Sequence, residues 1–202
     1  MITGILSFLY SLDVYIFGLL NAGVANPIFD IVMPFLTNEE HFVIPILAVW
    51  FGLIIFGGKR GRIAAIILLI ATGLADAIAA QILKPFFARL RPCHELETVR
   101  LLVKCGGKYG FVSNHAANMF ASMTVLAFFY HNYRWYFWGL AAAVAYSRVY
   151  VGVHYPGDIL FGALFGLAMA YGFIGLLILL NNRERKKERT WLEWREPPPD
   201  VL

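Results

Sequence analysis

Five apolar stretches, residues 42–57, 62–83, 115–130, 135–153 and 158–180, constrain the fold more than anything else in the chain. The hydrocarbon core of a bilayer takes about 20 helical residues to cross, and backbone inside it finds no water to bond. Some of these stretches are shorter than that, so their ends are expected to continue helically into the interface. Aromatic residues gather at several ends (Trp50, Phe51, Tyr130, Tyr133, Trp135, Tyr136), where amphipathic rings prefer to lie. Composition agrees: 59% of the 202 residues are hydrophobic and 15% are charged, against roughly 25% charged in soluble domains. Mean hydropathy is +0.65. The chain reads as an all-α integral membrane protein, and its start lacks the basic n-region and cleavage site of a removable signal peptide.

Residues 1–37 admit two readings, because Ser7, Ser11 and Asp13 interrupt the first apolar run, and Asp30 and Pro34 the second. One is an interfacial amphipathic helix leading into a short first span; the other is a full span followed by a helical hairpin. The favoured reading is the amphipathic start, which gives six transmembrane helices in one membrane-embedded domain, residues 1–182. A basic tail follows, residues 183–202. Lys59, Arg60, Arg62, Arg134 and the cluster after residue 182 fall on one side when the spans alternate, and the positive-inside rule makes that side cytoplasmic. The connections at 83–114 and 147–158 then face outward, which in a bacterial inner membrane means the periplasm. A net charge of +4 placed at loop ends reads as topology information, so no nucleic-acid partner is expected. Nothing calls for an obligatory protein partner. Gly162 and Gly166 form a small-xxx-small pair that reads as close helix packing.

Three polar groups are delivered to the outer side. Lys84 and Arg91 lie about two helical turns apart, near enough in phase to face a common centre. Taken alone they could be cations snorkelling to lipid phosphates. Ser113, Asn114 and His115 open the third of the clear stretches, the fourth span, where Ser113 can cap the helix and the first turn offers free N–H groups to an anion. In 147–158, Arg148 precedes His154 by six residues and Asp158 follows it by four. One turn of helix puts His154 and Asp158 on the same face, so the carboxylate can hold one ring nitrogen and leave the other free to react. Arginine adds a planar fork suited to phosphate. Together these residues describe a site for an anion with several negative oxygens, with one histidine on either side. The sequence offers no carboxylate cluster for magnesium and no His/Cys set for zinc, so no metal or other cofactor is expected.

These segments, Lys84-x6-Arg91-Pro92, Ser113-Asn114-His115 and Ser147-Arg148-x5-His154-x3-Asp158, resemble the three-part signature of the type 2 phosphatidic acid phosphatase superfamily. The resemblance implies a six-helix core and metal-independent removal of phosphate from a membrane lipid. It implies that His154 attacks phosphorus and becomes phosphohistidine, that Asp158 orients it, and that His115 protonates the leaving oxygen. Lys84, Arg91 and Arg148 would bind the phosphoryl oxygens, helped by Ser113 and Asn114. One departure stands out: the family's Pro-Ser-Gly-His is Val112-Ser113-Asn114-His115 here. Asparagine is the residue after glycine most tolerant of a left-handed backbone, so the loop geometry is expected to survive, and its amide offers a further donor to phosphate.

The short chain is similar to bacterial members acting on lipid A 1-phosphate, the first choice here, or on phosphatidylglycerophosphate, undecaprenyl pyrophosphate or phosphatidic acid. A phosphotransferase passing the group to a lipid acceptor is the alternative within enzymes, and a lipid transporter or scaffold the alternative outside them. Asp76, a carboxylate inside a span, is either functional or one half of a structural ion pair. Cys93 and Cys105 fall in the outer loop and either bridge or stay free. His94, Glu95 and Glu97 follow Arg91-Pro92 and read as solvated loop.

Overall fold

The protein is described here by a computed structural model covering residues 2–185 and 187; the tail beyond, for which a basic cytoplasmic segment is expected, lies outside the described residues. Helix α1 (Ile2–Gly18) runs on through a π-helical turn (Leu19–Gly23). Helix α2 (Pro27–Thr37) starts with Pro27 in its first turn, and the Asn26 side chain caps it by accepting from the Phe29 N–H. A 3-10 turn (Glu39–Phe42) leads into α3 (Val43–Phe56). Helix α4 (Gly58–Ile78) continues through a second π turn (Ala79–Leu83) into α5 (Lys84–Phe87). After the short α6 (Pro92–Glu95) come α7 (Asn114–Phe129), α8 (Arg134–Tyr150) and α9 (Pro156–Arg185).

Among the described residues, four helical segments are long and apolar enough to cross a membrane: Gly4–Gly23, Glu39–Phe56, Gly58–Phe87 and Pro156–Arg185. The 16 residues of α7 and 17 of α8 fall short of that length. Helix α7 packs against α4, α8 and α9 and is the centre of the bundle. The opening segment has the length and composition of a crossing, and the polar residues that interrupt it have partners. Ser7 and Ser11 donate to backbone carbonyls of their own helix, at Gly4 and Ser7, and Asp13 turns inward to Arg89.

Where α4, α7 and α9 meet, side chains are small. Ala64, Ala71, Ala75, Ala116, Ala117, Ala121 and Ala170 are fully buried. A methyl group at Gly162 would sit 2.6 Å from the Ser113 carbonyl oxygen, and one at Gly166 would sit 2.2 Å from that of Ala117. The two glycines therefore serve close helix packing, in which backbones approach without side chains between them. Large apolar side chains such as Ile44 and Phe56 point away from the bundle.

Two ends result. Arg60, at the start of α4, donates to the carbonyl of Phe129 at the end of α7, and Arg134 lies 5.4 Å from the Trp135 ring. At the opposite end α4 delivers Lys84 and α7 begins with His115. The loop there is built on a Cys93–Cys105 disulfide with a Cα–Cα distance of 6.1 Å, a cross-link of a size that contributes about 3 kcal/mol. An isolated bridge pairs Leu90 with Tyr109. Buried Asn21 then ties the loop to α8: its amide donates to the carbonyls of Arg100 (2.9 Å) and Tyr150 (2.7 Å), and its oxygen accepts from the Arg100 N–H (3.0 Å). Gly152, at φ 89°, sits where a side chain would meet the Arg100 carbonyl at 2.7 Å.

Candidate active site

A cavity of about 220 Å³ opens at this end, and all three sequence groups reach it: Lys84 and Arg91, Asn114 and His115, Arg148 and His154. His154 sits in the short connection between α8 and α9 and is 1% exposed. Its Nδ1 is 3.2 Å from Asp158 Oδ2, and its Nε2 is 3.2 Å from Arg91 Nη1. A guanidinium can only donate and a carboxylate accepts, so the proton belongs on Nδ1 and the lone pair on Nε2. Burial, then the nearby cations Arg91, Arg148 and Lys84, holds this imidazole well below its ordinary pKa. The neutral ring thus keeps an unprotonated nitrogen beside the Arg91 guanidinium.

Asp158 is fully buried at the start of α9. Besides His154, its Oδ2 accepts from the Tyr155 N–H at 3.0 Å. Its Oδ1 accepts from Arg89 at 3.0 Å. Arg89 reaches across to Asp13 on α1 at 2.6 Å and stacks over the Tyr155 ring at 4.2 Å. Asp13 in turn accepts from the Gly157 N–H at 2.7 Å. This Asp13–Arg89–Asp158 chain was not singled out in the sequence. A carboxylate inside an apolar run was the available signal.

His115 stands at the start of α7, with Nε2 unpartnered and 4.0 Å from Glu39 Oε2. Its ring lies close to the Thr37 backbone. Thr37 also accepts from Arg148 Nη1, at 2.5 Å through its hydroxyl and 3.4 Å through its carbonyl. One residue at the end of α2 thus positions both the second histidine and a cation. The Nε atoms of Arg91 and Arg148 are buried without partners. Each is a donor left waiting for an acceptor, and burial makes that costly unless something fills the cavity.

Two expected phosphate contacts are placed differently. Ser113 is fully buried outside the cavity lining, where its hydroxyl accepts from the Ala116 N–H (3.5 Å) and its own N–H donates to the Asp158 carbonyl (3.0 Å). It caps the helix and ties it to α9. Asn114 does line the cavity, but its amide nitrogen donates to Asp76 Oδ1 at 2.8 Å, so the extra phosphate donor is already engaged. Asn118 donates to the same oxygen at 2.9 Å. His94, Glu95 and Glu97 stay outside the lining; Glu95 accepts from the Tyr155 hydroxyl at 2.7 Å.

The pattern of the PAP2 superfamily matches residues 64–183. The lipid A 4'-phosphatase of Porphyromonas gingivalis is 32% identical over 158 residues, covering 74% of this chain and 66% of that one. The undecaprenyl-diphosphatase of Sulfolobus acidocaldarius is 33% identical over 130 residues, covering 64% and 60%. Among solved structures, Aquifex aeolicus LpxE superposes with a TM-score of 0.66 at 28% identity, over 79% of this chain and 93% of that one. With the family pattern spanning more than half its length and both histidine-bearing segments, the chain belongs to the PAP2 superfamily.

Proposed function

We propose that this protein is a metal-independent lipid phosphatase of six transmembrane helices, working through a phosphohistidine on His154 at the periplasmic face of a bacterial inner membrane. The reaction class, hydrolysis of a phosphate ester, follows from the family and its phosphatase-named relatives. The single observation that carries the mechanism is that Lys84, Arg91, Arg148 and His115 line one cavity with His154, and that Arg91 Nε, Arg148 Nε and His115 Nε2 have no partner of their own. A tetrahedral anion in that cavity meets two guanidinium groups, the Lys84 ammonium and the second histidine. Cations that neutralise the equatorial oxygens supply most of what phosphoryl transfer needs.

In the first step His154 Nε2 bonds to phosphorus as the bond to the lipid oxygen breaks. Asp158 stabilises the positive charge that builds on the ring. His115, charged once a phosphate sits beside it, gives its Nε2 proton to the leaving oxygen. In the second step His115 takes a proton from water, the water oxygen bonds to phosphorus, and His154 leaves as a neutral ring with free inorganic phosphate.

For the substrate, the P. gingivalis relative moves the first choice within lipid A from the 1-phosphate to the 4'-phosphate. Undecaprenyl diphosphate is the second reading, on the S. acidocaldarius relative. The test is phosphate release by the purified chain in micelles from bisphosphorylated lipid A, undecaprenyl diphosphate, phosphatidylglycerophosphate and phosphatidic acid. Lipid A should be cleaved fastest, with tandem mass spectrometry placing the surviving phosphate on the reducing sugar. Absence of phosphate release from all four lipids would end the proposal.

A further inference from the structure

The cavity lining mixes two kinds of group. Lys84, Arg91, His115, Arg148 and His154 carry the phosphate chemistry. Glu39, Asp76, Asn114 and Asn118 share the lining, and the phosphate chemistry gives them no task.

Asp76, on α4, accepts from the amide nitrogens of both Asn114 (2.8 Å) and Asn118 (2.9 Å), which lie one turn apart on α7. A carboxylate is an acceptor, so it dictates which way each amide turns: nitrogen towards Asp76, oxygen away. Both amide oxygens are buried without a partner. A contact whose purpose was to join α4 to α7 would account for the nitrogens and leave the two oxygens as an uncompensated cost. The same arrangement gathers acceptors: two amide oxygens and the Asp76 carboxylate, with Glu39 in the same lining.

Such a cluster favours O–H and N–H groups over a phosphate. We infer that Asp76, Asn114 and Asn118 form a specificity subsite that holds the leaving group of the substrate through its hydroxyl or amide hydrogens. The site then selects phosphate monoesters of sugars or polyols over diphosphates of plain hydrocarbon alcohols, whose second phosphate would face the acceptors. Asp76 fixes the amides, and the asparagine oxygens make the contacts. Asn114 stands where the family signature has glycine, so this chain carries an acceptor that the signature residue lacks. The inference rests on the phosphatase reading above.

The experiment measures kcat/KM of the purified chain on two substrates, lipid A bisphosphate and farnesyl diphosphate, for wild type, Asn118→Ala and Asn118→Leu. Wild type should favour the sugar lipid at least tenfold. Each variant should lower that preference on the order of tenfold, the scale of one lost hydrogen bond, by losing rate on the sugar lipid. The alanine variant keeps the test open if leucine prevents folding, and thermal unfolding of each protein reports on that directly. A wild type active on both lipids, with a preference that neither variant changes, overturns the subsite alone. Equal losses on both substrates make Asn118 helix glue and also overturn it. A wild type that cleaves neither lipid removes the phosphatase reading and the subsite together.

Discussion

The two histidines face each other across one cavity but are built differently. Around His154 the ring nitrogens and both carboxylate oxygens of Asp158 have partners: Asp158 and Arg91 on the ring, Arg89 and the Tyr155 N–H on the acid. Around His115 several groups wait, including its own Nε2 and the side-chain oxygens of Asn114 and Asn118. On the proposed mechanism the histidine and its acid are assembled before substrate arrives, so their dipoles need no rearrangement during reaction. The receiving half is completed by the substrate. The proposed mechanism thus pairs a fixed His154 with a recognition surface that the substrate completes.

The largest test of this contrast is to remove each histidine in turn. His154→Ala should lower phosphate release by roughly 10⁴-fold or more and abolish labelling of the protein by a lipid bearing radioactive phosphate. His115→Gln should cost about 10²- to 10⁴-fold in kcat on alkyl phosphates. It should cost far less on p-nitrophenyl phosphate, whose leaving group needs no proton. Equal losses on both substrates for both variants would erase the division of roles.

A smaller effect probes why the attacking half is rigid. Arg89→Met leaves Asp158 Oδ1 and Asp13 without their shared cation. Removing one partner of a buried pair costs on the order of 3 kcal/mol, to be read from thermal or denaturant unfolding. A drop in kcat with little change in KM would mark Arg89 as a positioning residue for the orienting acid; unchanged stability and kcat would remove it from the account.

The smallest effect is on pH. The folded pKa of His154 lies below its ordinary value, so the unfolded chain takes up a proton, near pH 6.5, that the folded chain refuses. The stabilisation is therefore present above that pH and declines as the pH falls through it. The decline should be shallower in His154→Asn, measured by unfolding between pH 7.5 and 5.5.

Much of the site was legible because its spacing is local. His154 and Asp158 are one turn apart, and Lys84 and Arg91 share a short segment ended by Pro92. What escaped was long-range. Asp13 meets Arg89 across 76 positions, and Thr37 meets Arg148 across 111. A lone polar residue in an apolar run carries no periodicity to say which way it faces, so Asp13 and the two serines before it read only as interruptions of that run. Two serines satisfied by their own helix and one inward carboxylate give the same pattern as an amphipathic helix. Ser113 was misplaced for a related reason: a residue that can cap and can bind phosphate is ambiguous until its neighbours are known. The disulfide was open because spacing permits it without requiring it, and the loop settles the matter by bringing Cys93 to Cys105.

Gly162 gives the contact between α7 and α9 a further meaning. It lies one turn beyond Asp158, and the backbone it touches belongs to Ser113, two residues before His115. The gap across which a phosphoryl group must travel is therefore gauged outside the cavity, by a hydrogen standing where a methyl group would be. The tolerance of the reaction is set in this dry seam, where no substrate ever enters.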